Sequence, residues 1–466
     1  MTLIKSISGI RGTIGGQPGT ALTPTDVVKY TAAFGSWIRQ QNPDAKVVVG
    51  RDARVSGEMV NKLVTATLQS VGINVVDIGL ATTPTVEIAV THEKADGGII
   101  ITASHNPGQW NALKLLDAQG EFISADAGAE VLKIAENEDF DFVSTAKLGW
   151  YAAKEDYTQI HIDEILALPE VDVEAIRKRN FKIAIDCVNS VGGIAVPMLL
   201  ESLGVEHIEK FFCEPTGVFQ HNPEPVPENL SYICGKIEQG SFDLGIVVDP
   251  DVDRLVLIQE NGAPFGEEYT LVAVADYILS LTPGNTVSNL SSSIALRDVT
   301  EKRGGKYAAA PVGEVNVVAT MKETNAVVGG EGNGGVIFPK LHYGRDALVG
   351  IALFLTHLAK YGKPISRLKA TYPSYQIAKL KLDLTPDLDI DAVLEGVKEK
   401  YRKMEINTQD GVKIYFDREW VHLRKSNTEP IIRIIAESDS LPTAEHLANK
   451  LISDIREIIA SGKIQA

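Results

Sequence analysis

Six consecutive residues, Thr102-Ala103-Ser104-His105-Asn106-Pro107, place a hydroxyl beside an imidazole at the end of an apolar run. That run, Gly98-Ile99-Ile100-Ile101, reads as a buried strand. The small residues Ala103 and Ser104 leave room for a bulky group near the backbone, and Pro107 pre-sets a turn. A serine presented there, among free backbone N–H groups, has the makings of a nucleophile or a phosphate carrier. The same pattern also suits a polar turn that caps a helix.

A second stretch, Asp249-Pro250-Asp251-Val252-Asp253-Arg254, lies between two more strand-like runs. Three carboxylates at alternate positions of a tight loop repel one another unless a cation neutralises them, and hard oxygen donors suit Mg2+. A solvated acidic turn would have the same composition. An EF-hand loop is excluded, although Glu260 stands at the twelfth position, because Arg254 replaces the glycine of position six and strands replace the helices. A phosphatase-type Asp-x-Asp nucleophile after a strand stays open.

The third stretch, Gly329-Gly330-Glu331-Gly332-Asn333-Gly334-Gly335, has neither a Walker lysine nor dinucleotide spacing. Its polar side chains are Glu331 and Asn333, read as an exposed acceptor and an amide suited to sugar hydroxyls; a flexible turn is the plain alternative. In the fourth, Arg424-Lys425-Ser426-Asn427-Thr428-Glu429-Pro430, two hydroxyls, an amide and basic groups precede Arg433 on the next strand. These are the donors that a phosphate monoester pocket requires. A formal charge of −16 argues against nucleic-acid or anionic-membrane partners and requires such a local positive site for an anionic substrate.

The elements that must position these loops alternate. Val47-Val48-Val49 precedes a polar turn and a helix ending near Gly72; Lys182-Ile183-Ala184-Ile185-Asp186 begins a second such unit, and Thr286-Val287 a looser third. Ser8-Gly9-Ile10-Arg11-Gly12 reads as a loop whose arginine, flanked by glycines, can approach an anion, and a helix starts at Thr23-Pro24-Thr25-Asp26, with its cap, proline and early acid in place. From Tyr375 strands and helices segregate, with a helix over about 389–403 and strands either side of Asp417-Arg418-Glu419. The spacing predicts three related α/β/α domains with mixed sheets and a smaller C-terminal α+β domain. Divisions fall near residues 150, 255 and 370, giving 1–150, 151–255, 256–370 and 371–466. One chemical loop per domain places all four around a central cleft, a set that spells phosphoryl transfer on a sugar phosphate. With 44% hydrophobic and 23% charged residues, three unpatterned cysteines, no signal-peptide pattern and no membrane-length apolar run, the expectation is a cytoplasmic monomer or homodimer.

These motifs together resemble the α-D-phosphohexomutases over essentially the whole chain. Residues 102–107 are similar to that family's phosphoserine loop, 249–254 to its Mg2+ loop, 330–335 to its sugar loop and 424–430 to its phosphate loop; 8–12 and 50–57 match two further segments. The resemblance implies that Ser104 carries the phosphoryl group, with His105 beside it, and that Ser104, Asp249, Asp251 and Asp253 hold Mg2+. It implies that Arg254 neutralises the serine phosphate and that Arg11 and Lys114 serve proton transfer and charge stabilisation. Glu331 and Asn333 would read the sugar, while Arg424, Ser426, Asn427, Thr428 and Arg433 would hold the non-reacting phosphate. A hexose 1,6-bisphosphate is the implied intermediate and activator. Asn333 and Gly335 depart from the usual serine and histidine of bacterial members and are similar to a branch assigned as phosphoglucosamine mutases. Glucosamine 6-phosphate is therefore the first expectation, with glucose or mannose phosphates next. A Mg2+-dependent phosphatase using Asp249, or a non-catalytic sugar-phosphate sensor, fits fewer of the loops.

Overall fold

The apolar β-branched runs become strands, and the strands sort into four sheets. The computed structural model describes residues 2–6, 9–385, 388–425 and 431–460. The first sheet contains β1 (Ile4–Ser6), β2 (Gly9–Thr13), β3 (Lys46–Arg51), β4 (Asn74–Leu80), β5 (Gly97–Ile101), β6 (Trp110–Leu116) and β7 (Tyr151–Ala153), in the order β1-β2-β6-β5-β3-β4-β7. The second contains β8 (Lys182–Asp186), β9 (His207–Phe211), β10 (Leu244–Val248) and β11 (Leu255–Gln259), ordered β11-β10-β8-β9. The third contains β12 (Asn285–Asn289), β13 (Tyr307–Ala310), β14 (Ala326–Glu331) and β15 (Gly335–Ile337), ordered β13-β12-β14-β15. The fourth is antiparallel throughout: β16 (Gln376–Asp383), β17 (Glu405–Asn407), β18 (Val412–Tyr415), β19 (Trp420–Lys425) and β20 (Ile431–Ser438), ordered β16-β20-β19-β18-β17.

One plan is used three times. In β6-β5-β3-β4, β11-β10-β8-β9 and β15-β14-β12-β13, three parallel strands are followed by one antiparallel strand, which is the sheet edge in the second and third sheets and is covered by β2 in the first. The three chemical loops occupy equivalent places, each joining the third parallel strand to that antiparallel strand. The phosphate loop joins β19 to β20 in the fourth sheet.

Burial on both faces explains the continuous apolar runs. Val47 and Val49 of β3 pack with Phe34, Val60 and Val64, while Val48 packs on the other face with Val86 and Val90 of the helix Thr83–Glu93. All three valines are fully buried, each stabilising by about 1.5–3 kcal/mol. The expected first helix runs Pro24–Gln41, with Thr23 and Asp26 exchanging a capping box.

Two local expectations change. Arg11, read as part of a glycine-flanked loop, lies on β2 opposite Ala112 of β6, because the edge of β6 supplies backbone partners that a short sequence window cannot reveal. The C-terminal helix spans Ile390–Lys400 and is followed by the short strand β17. Among the described residues no helix is long and apolar enough to cross a membrane. The three cysteines are free thiols.

Candidate active site

Where β5 ends, the chain turns sharply at Ser104, whose φ of +47° lies in the left-handed region that a serine seldom occupies. The turn is held from within by Arg54. Its guanidinium is buried; Nε meets Asp52 Oδ2 at 3.0 Å, Nη1 donates to the carbonyls of Pro107 and Trp110, and Nη2 to those of Ser104 and Asn106. Thr102 Oγ1 completes the anchor by donating to Asp52 Oδ2 at 2.7 Å, and the Ser104 N–H donates back to Thr102 Oγ1.

The strained turn delivers the Ser104 hydroxyl to the acidic loop between β10 and β11. Ser104 Oγ donates to Asp249 Oδ2 at 2.7 Å. One carboxylate oxygen from each of Asp249, Asp251 and Asp253 falls within a 4.8 Å cluster, and all three residues are fully buried. Val252, between two of them, is a β-branched residue at φ +63°, so this loop is strained as well. Asp251 Oδ2 accepts from Lys114 Nζ and from Thr83 Oγ1, both at 2.7 Å, whereas Asp251 Oδ1 is buried with no hydrogen-bond partner. Burial, then Asp253 and Asp251, push the Asp249 carboxyl well above the usual range. A free carboxylate oxygen and mutually repelling buried acids are what a divalent cation bound by oxygen ligands relieves, so the residues fit a metal.

Cations frame these acids. Burial opposes a charge on Lys114, but Asp251 and Asp253 outweigh it and hold the ammonium above its ordinary value. Arg254 Nη2 donates to His105 Nδ1 at 2.9 Å; burial and then Arg254 push that imidazole down to about 2. His105 Nδ1 is the acceptor in this contact, which holds the Arg254 guanidinium beside the serine turn.

The glycine-rich loop supplies the facing wall. Glu331, expected to be an exposed acceptor, is instead 5% exposed, because the third sheet brings Arg345 against it. Arg345 Nη1 meets Glu331 Oε2 at 3.0 Å, Nη2 meets Asp253 Oδ2 at 2.7 Å and Nε meets Glu314 Oε2 at 3.0 Å. Asn289 Nδ2 donates to Glu331 Oε1 at 2.8 Å, and Asn333 Nδ2 reaches Glu331 Oε2 at 3.5 Å. Burial would raise the Glu331 carboxyl, but Arg345 and then Asn289 bring it below its ordinary value.

The space enclosed is a cleft of about 650 Å³, lined by Ser104, Lys114, Arg254 and Glu331 on one side and by Arg424 and Arg433 on the other. Arg424 and Arg433 are directly opposed across β19 and β20, and Arg11 also faces the cleft. Burial, then Arg433, lower the Arg11 guanidinium from its ordinary value. Like charges directly opposite one another destabilise a sheet, and Asp410 Oδ2, 2.8 Å from Arg424 Nε, offsets part of that repulsion. Ser426, Asn427 and Thr428 lie outside the described residues.

Thus Arg11, Ser104, His105, Lys114, Arg254, Glu331, Asn333, Arg424 and Arg433 all line one cleft, with Asp249, Asp251 and Asp253 buried behind Ser104. Sequence reasoning missed Arg345, Glu314 and Asn289 and gave Arg54 no role. A charged Arg51-Asp52-Ala53-Arg54 stretch immediately after a buried strand was a usable signal for Arg54. Arg345 carries no signal of its own, since its three partners come from distant segments.

Four descriptions of the phosphoglucomutase/phosphomannomutase family match this chain in turn. Alpha/beta/alpha domain I matches over residues 3–142, domain II over 159–262, domain III over 266–375 and the C-terminal domain over 382–453. The chain belongs to this family. It is 38% identical to a phosphoglucomutase/phosphomannomutase of Thermococcus kodakarensis, over 92% of this chain and 94% of that one. It is 32% identical to a phosphoglucosamine/phosphogalactosamine mutase of Sulfurisphaera tokodaii, over 97% and 98%. Among solved structures, a phosphoglucomutase/phosphomannomutase family protein of Burkholderia thailandensis superposes with a TM-score of 0.85 at 25% identity, covering 99% of this chain and 100% of that one. The fold class read from the sequence, three α/β units with mixed sheets and a C-terminal α+β unit, is the family's four-domain architecture.

Proposed function

We infer that this member of the family is a phosphohexomutase that interconverts the 6-phosphate and 1-phosphate of a hexosamine, glucosamine 6-phosphate foremost. One observation carries the reading: a strained serine hydroxyl held on a buried aspartate triad faces, across a single cleft, a wall of opposed arginines. The first half suits a phosphoryl carrier and the second a phosphate that does not react.

Phospho-Ser104 donates its phosphoryl group to the free hydroxyl of the bound sugar phosphate. The O–P bond to serine breaks as the bond to the sugar oxygen forms, giving a hexose 1,6-bisphosphate that also serves as activator. This intermediate turns over in the cleft, and its other phosphate returns to Ser104. Asp249, Asp251 and Asp253, with Ser104, would hold Mg2+, which when bound would supply neutralising charge at the transferring group. Lys114, kept protonated beside Asp251, faces the same group, and Arg254 is aimed at it by His105. Arg11 supports proton transfer at the sugar hydroxyl. Glu331 and Asn333 accept and donate hydrogen bonds to ring substituents. Arg424 and Arg433, with Ser426, Asn427 and Thr428, hold the distal phosphate in either orientation. The domain divisions proposed near 150, 255 and 370 leave each of these loops in its own unit. A glucose or mannose phosphate is the second reading, favoured by the likeness to the Thermococcus kodakarensis protein.

The deciding experiment is a substrate panel with Mg2+ and a trace of hexose 1,6-bisphosphate, run on wild type and Ser104→Ala. Isomerisation of glucosamine 6-phosphate well above glucose and mannose phosphates, lost in the variant, is expected. Preference for a neutral hexose phosphate would keep the mechanism and change the sugar. Phosphate release that survives Ser104→Ala would overturn the mutase.

A further inference from the structure

Behind the acidic loop, on the side away from the cleft, lies a second cluster that the phosphoryl chemistry does not use. His161, from the helix Tyr157–Leu166, points Nε2 at Asp346 Oδ2 at 2.9 Å, and His342 places its own Nε2 3.3 Å from the same oxygen. The ligand atoms of these three side chains lie within 4.8 Å of one another. His161 and Asp346 are fully buried, while His342 keeps a narrow exposed edge. Around a tetrahedral ion with bonds of about 2.0–2.1 Å, neighbouring donor atoms stand roughly 3.3 Å apart. The imidazole–carboxylate separations of 2.9 and 3.3 Å need little adjustment to meet that.

The surroundings are those of a ligand set. Asp346 Oδ1 is taken by the N–H groups of Leu348 and Val349, where the residue caps the helix Ala347–Tyr361, so Oδ2 is the oxygen left to bind. His342 Nδ1 stands 3.1 Å from Glu87 Oε2, and His161 Nδ1 stands 3.0 Å from Thr85 Oγ1. A metal-bound histidine typically donates its second ring N–H to a carboxylate or another acceptor, fixing which nitrogen faces the ion. Glu87 is buried with neither carboxylate oxygen hydrogen-bonded, and among the described residues no lysine or arginine forms an ion pair with Glu87 or Asp346.

We propose that His161, His342 and Asp346 bind a zinc-type divalent ion, with Glu87 and Thr85 orienting the two imidazoles. Two nitrogens and one carboxylate favour zinc over magnesium, which prefers an all-oxygen octahedron. The ion takes the place of the protons that otherwise bridge the imidazoles to Asp346 Oδ2, each ring keeping one proton on Nδ1. Its role is structural. Thr85 and Glu87 belong to the first α/β unit, His161 leads into the second, and His342 and Asp346 belong to the third. The same residues adjoin the acidic loop: Thr83 N–H donates to Asp251 O, and Ala347 N–H to Val252 O. A metal here would clasp the three units directly behind the phosphoryl-transfer site.

The test uses full-length protein grown with added zinc and dialysed against excess Mg2+, which keeps the aspartate loop occupied. Metal content is read by elemental mass spectrometry, and Co2+ exchanged for zinc is followed by its visible d–d absorption. About one retained zinc per chain is expected, with a tetrahedral Co2+ spectrum and a fall in Tm when the metal is stripped. Asp346→Asn, which keeps the helix cap, and His342→Gln, at the exposed edge, should each lose the ion while remaining folded by circular dichroism. Glu87→Gln should weaken it roughly 10–100-fold. No retained metal, an octahedral Co2+ spectrum, or zinc that persists in both ligand variants would overturn the site; the cluster would then be a proton-bridged histidine pair.

Discussion

At the scale of single residues, two buried arginines with every face engaged hold the walls of this cleft. Arg345 spans Asp253, Glu331 and Glu314 at 2.7–3.0 Å and is only 8% exposed, so it joins the acidic loop to the glycine-rich hairpin. Its three carboxylate partners outweigh the cost of burial and hold the guanidinium well above its ordinary value. Removing it leaves Glu314 and Glu331 buried without their ion-pair partner, while Asp253 keeps only the longer contacts to Lys114 at 3.6 Å and Arg254 at 3.8 Å. Arg345→Leu should therefore cost about 3–5 kcal/mol of stability, read by urea unfolding, together with most of the activity. Arg54 acts differently, because its donors hold the backbone of the serine turn. A lysine offers one point charge in place of that planar fork. Arg54→Lys should lower kcat by about 10²-fold with little change in KM for the sugar phosphate, because the nucleophile loses its orientation. An equal rise in KM would instead place Arg54 in substrate binding.

Elements carry the strain and the register. The glycine-rich hairpin between β14 and β15 is stapled to the acidic loop's exit strand, where Leu255 N–H donates to Gly334 O at 2.9 Å. Gly334 has φ +91°, and an added Cβ would stand 2.5 Å from Leu255 O. Gly334→Ala should cost about 1–3 kcal/mol and weaken sugar binding, since backbone strain and collision fall on the contact that aligns two loops. On the first unit, Glu93 at the end of its helix gathers Lys154, Tyr157 and Lys46. Burial acts to raise this carboxyl, but Lys154, Tyr157 and Lys46 overcome it and lower it to about 2. A depressed carboxyl stabilises the folded chain above its unfolded value of 4.5, and that contribution fades as pH falls from there toward 2. Glu93→Gln should flatten the acid side of the Tm–pH curve in this window; an unchanged curve would remove Glu93 from the account of acid unfolding.

For the whole molecule, the distribution of charge matters more than its sum. A chain of net charge −16 places Arg424 and Arg433 opposite one another on one wall of its cleft, with Arg11 facing the same space. The general field repels a sugar phosphate, and the local wall captures it at short range. Capture by partly exposed charges is screened by salt, whereas chemistry at the buried triad is screened much less. Raising ionic strength from about 0.02 M to about 0.5 M should therefore raise KM several-fold while kcat stays nearly constant. A matching fall in kcat would indicate that salt also reaches the buried aspartates.

Much of this protein was legible before any contact was known. Local chemistry writes itself in short windows: Ser104 beside His105, three aspartates at alternate positions, a cap at Thr23, and apolar runs whose two buried faces demand layered helices. Short windows cannot report which strand edges meet. Arg11 was read in a loop because its strand partner, β6, lies a hundred residues along the chain. Glu331 was read as exposed because the cation that buries it, Arg345, is brought to it by the fold of the third sheet. Of the two histidines and two acids behind the acidic loop, His342 and Asp346 stand four residues apart, but no spacing links them to His161 or Glu87. They become a cluster only when three separately folded units pack together. Residue type and alternation determined the kinds of elements and the class of chemistry; tertiary packing decided the partners, because pairing energies depend on distances of a few ångströms that the order of residues does not contain.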